Sequence, residues 1–222
     1  MLIANEFIPQ WLQITTTLIT AIMLPACIRF ADWQAIIRVP VRQHLIYASL
    51  VFLVLLWLIS VRHIEGLLLH FAGITTVTLL VGWRFTLLTG ALATIAYTLL
   101  CGQEIAAAPL AWLLSVVVPA SLSRLLVHHL QGIQFRNLFI YLLGAGFGGG
   151  VLSAIGMSVA GLAVLSLIGQ TDRVSYALEN WPLIALIAFP EGFINGMVLS
   201  MIVVWYPDTV KTFDSVKYLG DD

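Results

Sequence analysis

The chain has 222 residues, 60% of them apolar and 9% charged, against roughly 45–50% and about 25% in an ordinary soluble domain, so a water-soluble fold is excluded. The formal net charge is −1 and the ten basic residues are scattered singly, which leaves no basic face for nucleic acid. Apolar runs recur along the whole length with no long polar insert, so the chain reads as one integral membrane domain over 1–222 whose last stretch, about 206–222, is a short cytoplasmic tail.

A transmembrane helix needs about 20 mainly apolar residues. In chain order that criterion selects approximately 8–28, 45–61, 67–83, 85–101, 109–129, 137–168 and 181–205. The fold class is therefore all-α, a polytopic transmembrane bundle of about seven helices. No Lys or Arg precedes Arg29, so the basic start of a cleavable export signal is lacking and the first run is expected to be retained. Between the first two runs, Trp33, Ile36 and Ile37 share one helical face among Arg29, Arg38 and Arg42, which predicts a short interfacial helix. The third and fourth runs are short and divided only by Trp83-Arg84. The sixth is too long for one straight crossing at 1.5 Å per residue, so part of it must tilt, kink or leave the membrane.

Seven crossings put the termini on opposite sides. With the N-terminus outside, the cytoplasmic face collects Arg29, Arg38, Arg42, Arg84, Arg124, Arg136, Lys211 and Lys217, and the outer face only Arg62 and Arg173. Cytoplasmic loops hold the excess of basic residues, so the expected topology is N-out and C-in, in a bacterial inner (plasma) membrane. Cys27 and Cys101 then fall near opposite faces, too far apart for a disulfide.

Four groups of residues invite a chemical reading. Gly144-Ala-Gly146-Phe-Gly-Gly149 matches G-x-G-x-x-G, but a dinucleotide site needs a preceding strand and a later acidic residue in a βαβ unit. Inside an apolar run, Ala145, Gly149, Ser153 and Gly161 recur at multiples of four, the small-residue stripe of closely packed membrane helices. Glu191 sits near the middle of the last run, after Pro190 and one turn before Asn195. An ionisable group at that depth is costly unless it faces protein or water, so the pair reads as an intramembrane gating or ion-pathway site, or as a carboxylate that ties helices together. His70, with His63 as a further candidate, offers an imidazole toward the outer side, competent for nickel, cobalt, copper or zinc or else a hydrogen-bonded packing residue. His128-His129 ends the fifth run and reads as a solvated helix end. No Walker A sequence, paired intramembrane carboxylates or His-Glu-x-x-His cluster occurs, so no enzyme activity is assigned and any ATP-driven step belongs to other chains.

Taken together, three segments resemble the substrate-capture component of energy-coupling-factor (ECF) transporters for cobalt and nickel, the CbiM/NikM family. They are the opening Met1-Leu2-Ile3-Ala4-Asn5-Glu6-Phe7-Ile8-Pro9, His70-Phe-Ala-Gly73 running on to Leu80-Val81-Gly82, and Glu191-Gly192 with the later Pro207. The resemblance implies a permease-type subunit that takes up a transition-metal cation as substrate, holds no permanent cofactor, and works in the lipid bilayer with a transmembrane coupling protein and cytoplasmic ATPases. It also implies an outer metal site built from the free N-terminal amine, the backbone nitrogen and histidine side chain of residue two, and a further histidine. Met1 and His70 match that set; position two is Leu2, which supplies no imidazole. A non-transport assembly or sensory module that has lost the chelate is the alternative reading.

Overall fold

The computed structural model describes residues 2–3, 5–64, 67–132, 137–213 and 218, with residues 2, 60–64 and 67–70 given by backbone alone. Among the described residues six helical rods are long and apolar enough to cross a membrane. The first two are α1 (Gln10–Phe30) and α3 (Pro40–Leu58), separated by the six-residue α2 (Trp33–Arg38). The third is α5 (Trp83–Leu100). The fourth joins α6 (Ala108–Trp112), a π-helical turn over Leu113–Val117 and α7 (Val118–Gly132). The fifth joins α8 (Leu138–Ile140), a π-helical stretch over Tyr141–Gly148 and α9 (Gly149–Leu167). After the short α10 (Thr171–Glu179), α11 (Pro182–Trp205) completes the set.

The rods are inside-out relative to a soluble bundle. Ile14, Leu18 and Ile22 of α1 recur every fourth residue and are exposed, as are Leu186, Phe189, Phe193, Met197 and Val204 of α11. The opposite face of α11 buries Glu191, Asn195, Leu199 and Val203, again every fourth residue. Lipid tails solvate an apolar stripe as well as a protein core does, so the inward face is where polar and small residues collect. The sixth run of the sequence is one 30-residue rod, about 45 Å at 1.5 Å per residue, longer than the roughly 30 Å hydrocarbon core. The short helix α2 forms as expected, with Trp33 and Ile37 exposed and Trp33 set edge-on against Phe85 at 5.3 Å.

One expected helix takes another form. The run 67–83 is strand β3 (Leu67–His70) followed by α4 (Ile74–Val81), eight residues or about 12 Å. Strand β3 lies at the centre of a three-stranded antiparallel sheet, between β1 (Leu2–Ile3) and β2 (Ser60–Ile64), with Leu2 opposite Leu68 and Ile3 opposite Leu67. Every residue of α4 is buried, among α3, α5, α7, α9 and α11. A helix this short leaves backbone groups at its ends that must be met by protein, and five helices surround it. The β-branched sequence Ile-Thr-Thr-Val-Thr is a modest helix former, so packing sustains this helix.

The strand and the short helix together link segments packed at the two ends of α4. Lys211 and Thr212 N–H donate to the Leu80 and Leu79 carbonyls (3.2 Å each) at the C-terminal end of α4, whereas β1 pairs with β3 before its N-terminal end. The segments 2–3 and 211–212 therefore lie toward opposite ends of α4.

Candidate functional site

The start of α4 is where the singled-out segments meet. Gly73 caps the helix at φ +63°, a left-handed conformation, and an added Cβ would fall 2.6 Å from Leu56 Cδ2. A helix start leaves its first N–H groups without intrahelical acceptors, and water is absent at this depth. Glu191 supplies the acceptors: Ala72 N–H donates to its Oε2 and Gly73 N–H to its Oε1, both at 2.8 Å. One turn on, Asn195 Oδ1 accepts from Thr76 N–H and Thr76 Oγ1, each at 2.8 Å. Asn195 Nδ2 donates back to Glu191 Oε1 and to the Glu191 carbonyl at 2.7 Å, which fixes both side chains. Glu191 and Asn195 are each 1% exposed. Trp57 Nε1 donates to the Ala72 carbonyl at 3.0 Å and closes the ring of partners. A carboxylate at a helix N-terminus also meets the positive end of the helix dipole, so charge and hydrogen bonding act in the same sense.

Glu191 can reach this position because α11 approaches very closely. An added Cβ on Gly150 would lie 2.8 Å from Gly192 Cα and 2.9 Å from the Glu191 carbonyl, and one on Gly192 would lie 2.8 Å from the Phe147 carbonyl. Gly146 and Gly196 continue the same seam. The stripe singled out in the sequence faces other elements. Ala145, Gly149, Ser153 and Gly161 are all buried, Gly149 lies against Thr75 of α4, and Ser153 joins a triangle of hydroxyls with Thr75 (2.9 Å) and Ser123 (3.0 Å). The rod 138–167 thus has two small-residue faces, and the sequence does not separate the one that seats Glu191, because consecutive glycines fit either row. Gly144–Gly149 is helical, without the strand that a dinucleotide fingerprint needs.

The N-terminal segment is held at the same end as β3. Asn5 Nδ2 donates to Glu104, Gln13 Nε2 donates to Asn5 Oδ1 at 3.1 Å, and the Arg173 guanidinium stands 3.9 Å from the Phe7 ring centroid. Asn5, Glu104 and Arg173 lie 69 to 168 residues apart in pairs, and no spacing rule links them. Met1 lies outside the described residues, as do the side chains of Leu2, His63 and His70; the backbone of β1 and β3 nevertheless brings the N-terminal strand alongside the segment that ends in His70. Among the described residues no group of three or more His, Cys, Asp or Glu gathers as a metal cage. Cys27 is buried and Cys101 exposed, both as free thiols. His128 and His129 are exposed at the end of α7.

The chain matches the family described as CbiM, cobalt uptake substrate-specific transmembrane region, over residues 3–209. No curated protein and no solved structure matches it.

Proposed function

We propose that this chain, which belongs to the CbiM cobalt uptake family, is the substrate-capture subunit of an energy-coupling-factor type transporter for a cation of the cobalt or nickel class. It is a multi-pass membrane component of a metal uptake family; the choice of ion and the dependence on a coupling protein and ATPases are our reading. The observation that carries it is convergence: β1 pairs with β3, and the backbone just after His70 is gripped by Glu191. The N-terminal strand, the stretch 67–73 and Glu191, each part of a segment through which the sequence resembles its family, are thus brought to one end of α4. We place the capture site at that end and face it outward, because the opposite end carries most of the basic residues. Glu191 and Asn195 act there as positioning residues that hold the turn at 71–73, whatever part ionisation of Glu191 plays in transport.

Leu2 favours one further reading, a non-transport assembly or sensory module on the same scaffold. A deletion strain separates the two when cellular metal and uptake are measured for cobalt, nickel, copper and zinc in turn. Transport requires a deficit in at least one ion, restored by the intact gene together with coupling and ATPase subunits; no deficit in any ion favours the module. In purified protein, Leu2→His is expected to tighten cobalt or nickel binding by completing the amine–amide–imidazole set, read by calorimetry. Unchanged binding would mean that the outer site is built without residue two.

A further inference from the structure

The end of the bundle opposite the proposed capture site holds a cleft of about 340 Å³, lined by Arg84, Arg124, Lys211, Asp32, His128 and Trp83 among others. Three elements build it. The turn between α4 and α5 passes through Gly82 at φ +84°, where an added Cβ would meet Lys211 Cδ at 2.8 Å, so the lysine stem lies across bare backbone. The segment that carries Lys211 is fixed by backbone bonds to Leu79 and Leu80 and by Tyr141 Oη, 2.7 Å from Thr212 Oγ1. Arg124 reaches in from α7 with its guanidinium 5.1 Å from the Trp83 ring centroid, and the Trp83 indole donates to Ser121 Oγ at 3.2 Å.

Among the described residues the charges that line this cleft are unbalanced. Arg84, Arg124 and Lys211 line it and Arg42 stands close behind Lys211. Among the described residues one carboxylate faces them, Asp32, and it already accepts from Ala35 N–H at 3.2 Å as the cap of α2. Partial burial, then Arg42 and Arg84, pull the Lys211 ammonium below its ordinary pKa, with Asp32 acting in the other sense. Fixed cations around a concave space repel a metal cation and suit a multiply charged oxyanion, for which arginine offers paired donors. Trp33 and Trp83 lie at the same level, the aromatic composition typical of the headgroup layer, and basic pockets between helices on the cytoplasmic side are built for phosphate headgroups.

We propose that this cleft is a phosphate-binding site whose ligand is the headgroup phosphate of an anionic lipid, held by Arg84, Arg124 and Lys211. The site is independent of the transported ion. Native mass spectrometry of the full-length protein, with phosphatidylglycerol or phosphatidylcholine added at equal concentration, tests it alongside thermal unfolding in inorganic phosphate. Phosphatidylglycerol is expected to be retained preferentially, and Arg84→Gln with Lys211→Gln to weaken that retention by about tenfold or more. Asp32→Asn keeps a good helix cap while removing the opposing charge, so it is expected to fold normally and bind more tightly. Lipid preference without stabilisation by phosphate assigns the headgroup; stabilisation by millimolar phosphate without lipid preference keeps the anion site and assigns a soluble ligand. Equal retention of both lipids with no response to phosphate overturns the proposal. So does retention of phosphatidylglycerol unaffected by the double variant and by Asp32→Asn. If those variants instead lose a co-purified coupling subunit while their responses to lipid and phosphate stay unchanged, the cations serve a protein interface and the proposal is likewise overturned.

Discussion

α11 runs for 24 residues and turns Leu186, Phe189 and Phe193 toward lipid, whereas α4 runs for eight and is buried at every position. The two meet at Glu191 and Asn195, and they are held in opposite ways. A long rod closes its backbone hydrogen bonds within itself and leaves its ends near water. A helix that begins inside the protein leaves donors that must be satisfied by other segments. The polar residues of α11 are therefore explained by the needs of α4.

Glu191→Leu tests that comparison most severely. It strips the acceptors from Ala72 and Gly73 N–H, each buried donor worth about 1–3 kcal/mol, so folded protein in the membrane fraction should fall steeply. Glu191→Gln keeps one acceptor and turns an amide toward the other donor, so an intermediate loss is expected; wild-type accumulation and melting temperature in both variants would remove α4 from the argument. Gly150→Ala comes next, because its Cβ meets backbone of α11 at 2.8 Å; about 1–3 kcal/mol and a lower melting temperature in detergent are expected. Gly73→Ala should cost about 1–2 kcal/mol from the left-handed backbone alone. A melting temperature unchanged by this substitution would show that the turn can move. The smallest effect belongs to Ile22→Leu on the exposed face of α1, expected within about 0.5 kcal/mol of wild type. A large loss there would identify that face as a protein contact instead of a lipid one.

Much of this was legible from residue order. The long apolar runs, the short helix at Trp33–Arg38 and the neighbourhood of Glu191 and Asn195 follow from hydropathy, periodicity and the cost of a buried charge. Segment 67–83 was not, because its first four residues become a strand only by pairing with residues 2–3 and 60–64, which hydropathy along the run does not show. The register of the glycine rows in 144–161 was likewise undetermined, since Gly148-Gly149-Gly150 offers a close approach on more than one face.

The sequence by itself determined that this protein lives in a membrane, where its long apolar helices run and which residue types at mid-depth demand partners, because transfer into lipid is a sum over local side chains. Only the tertiary structure decided that Glu191 answers Ala72 and Gly73, 119 and 118 residues away, and that Lys211 folds back onto Gly82. A buried donor requires some acceptor, but which distant segment supplies it is set by how the helices pack.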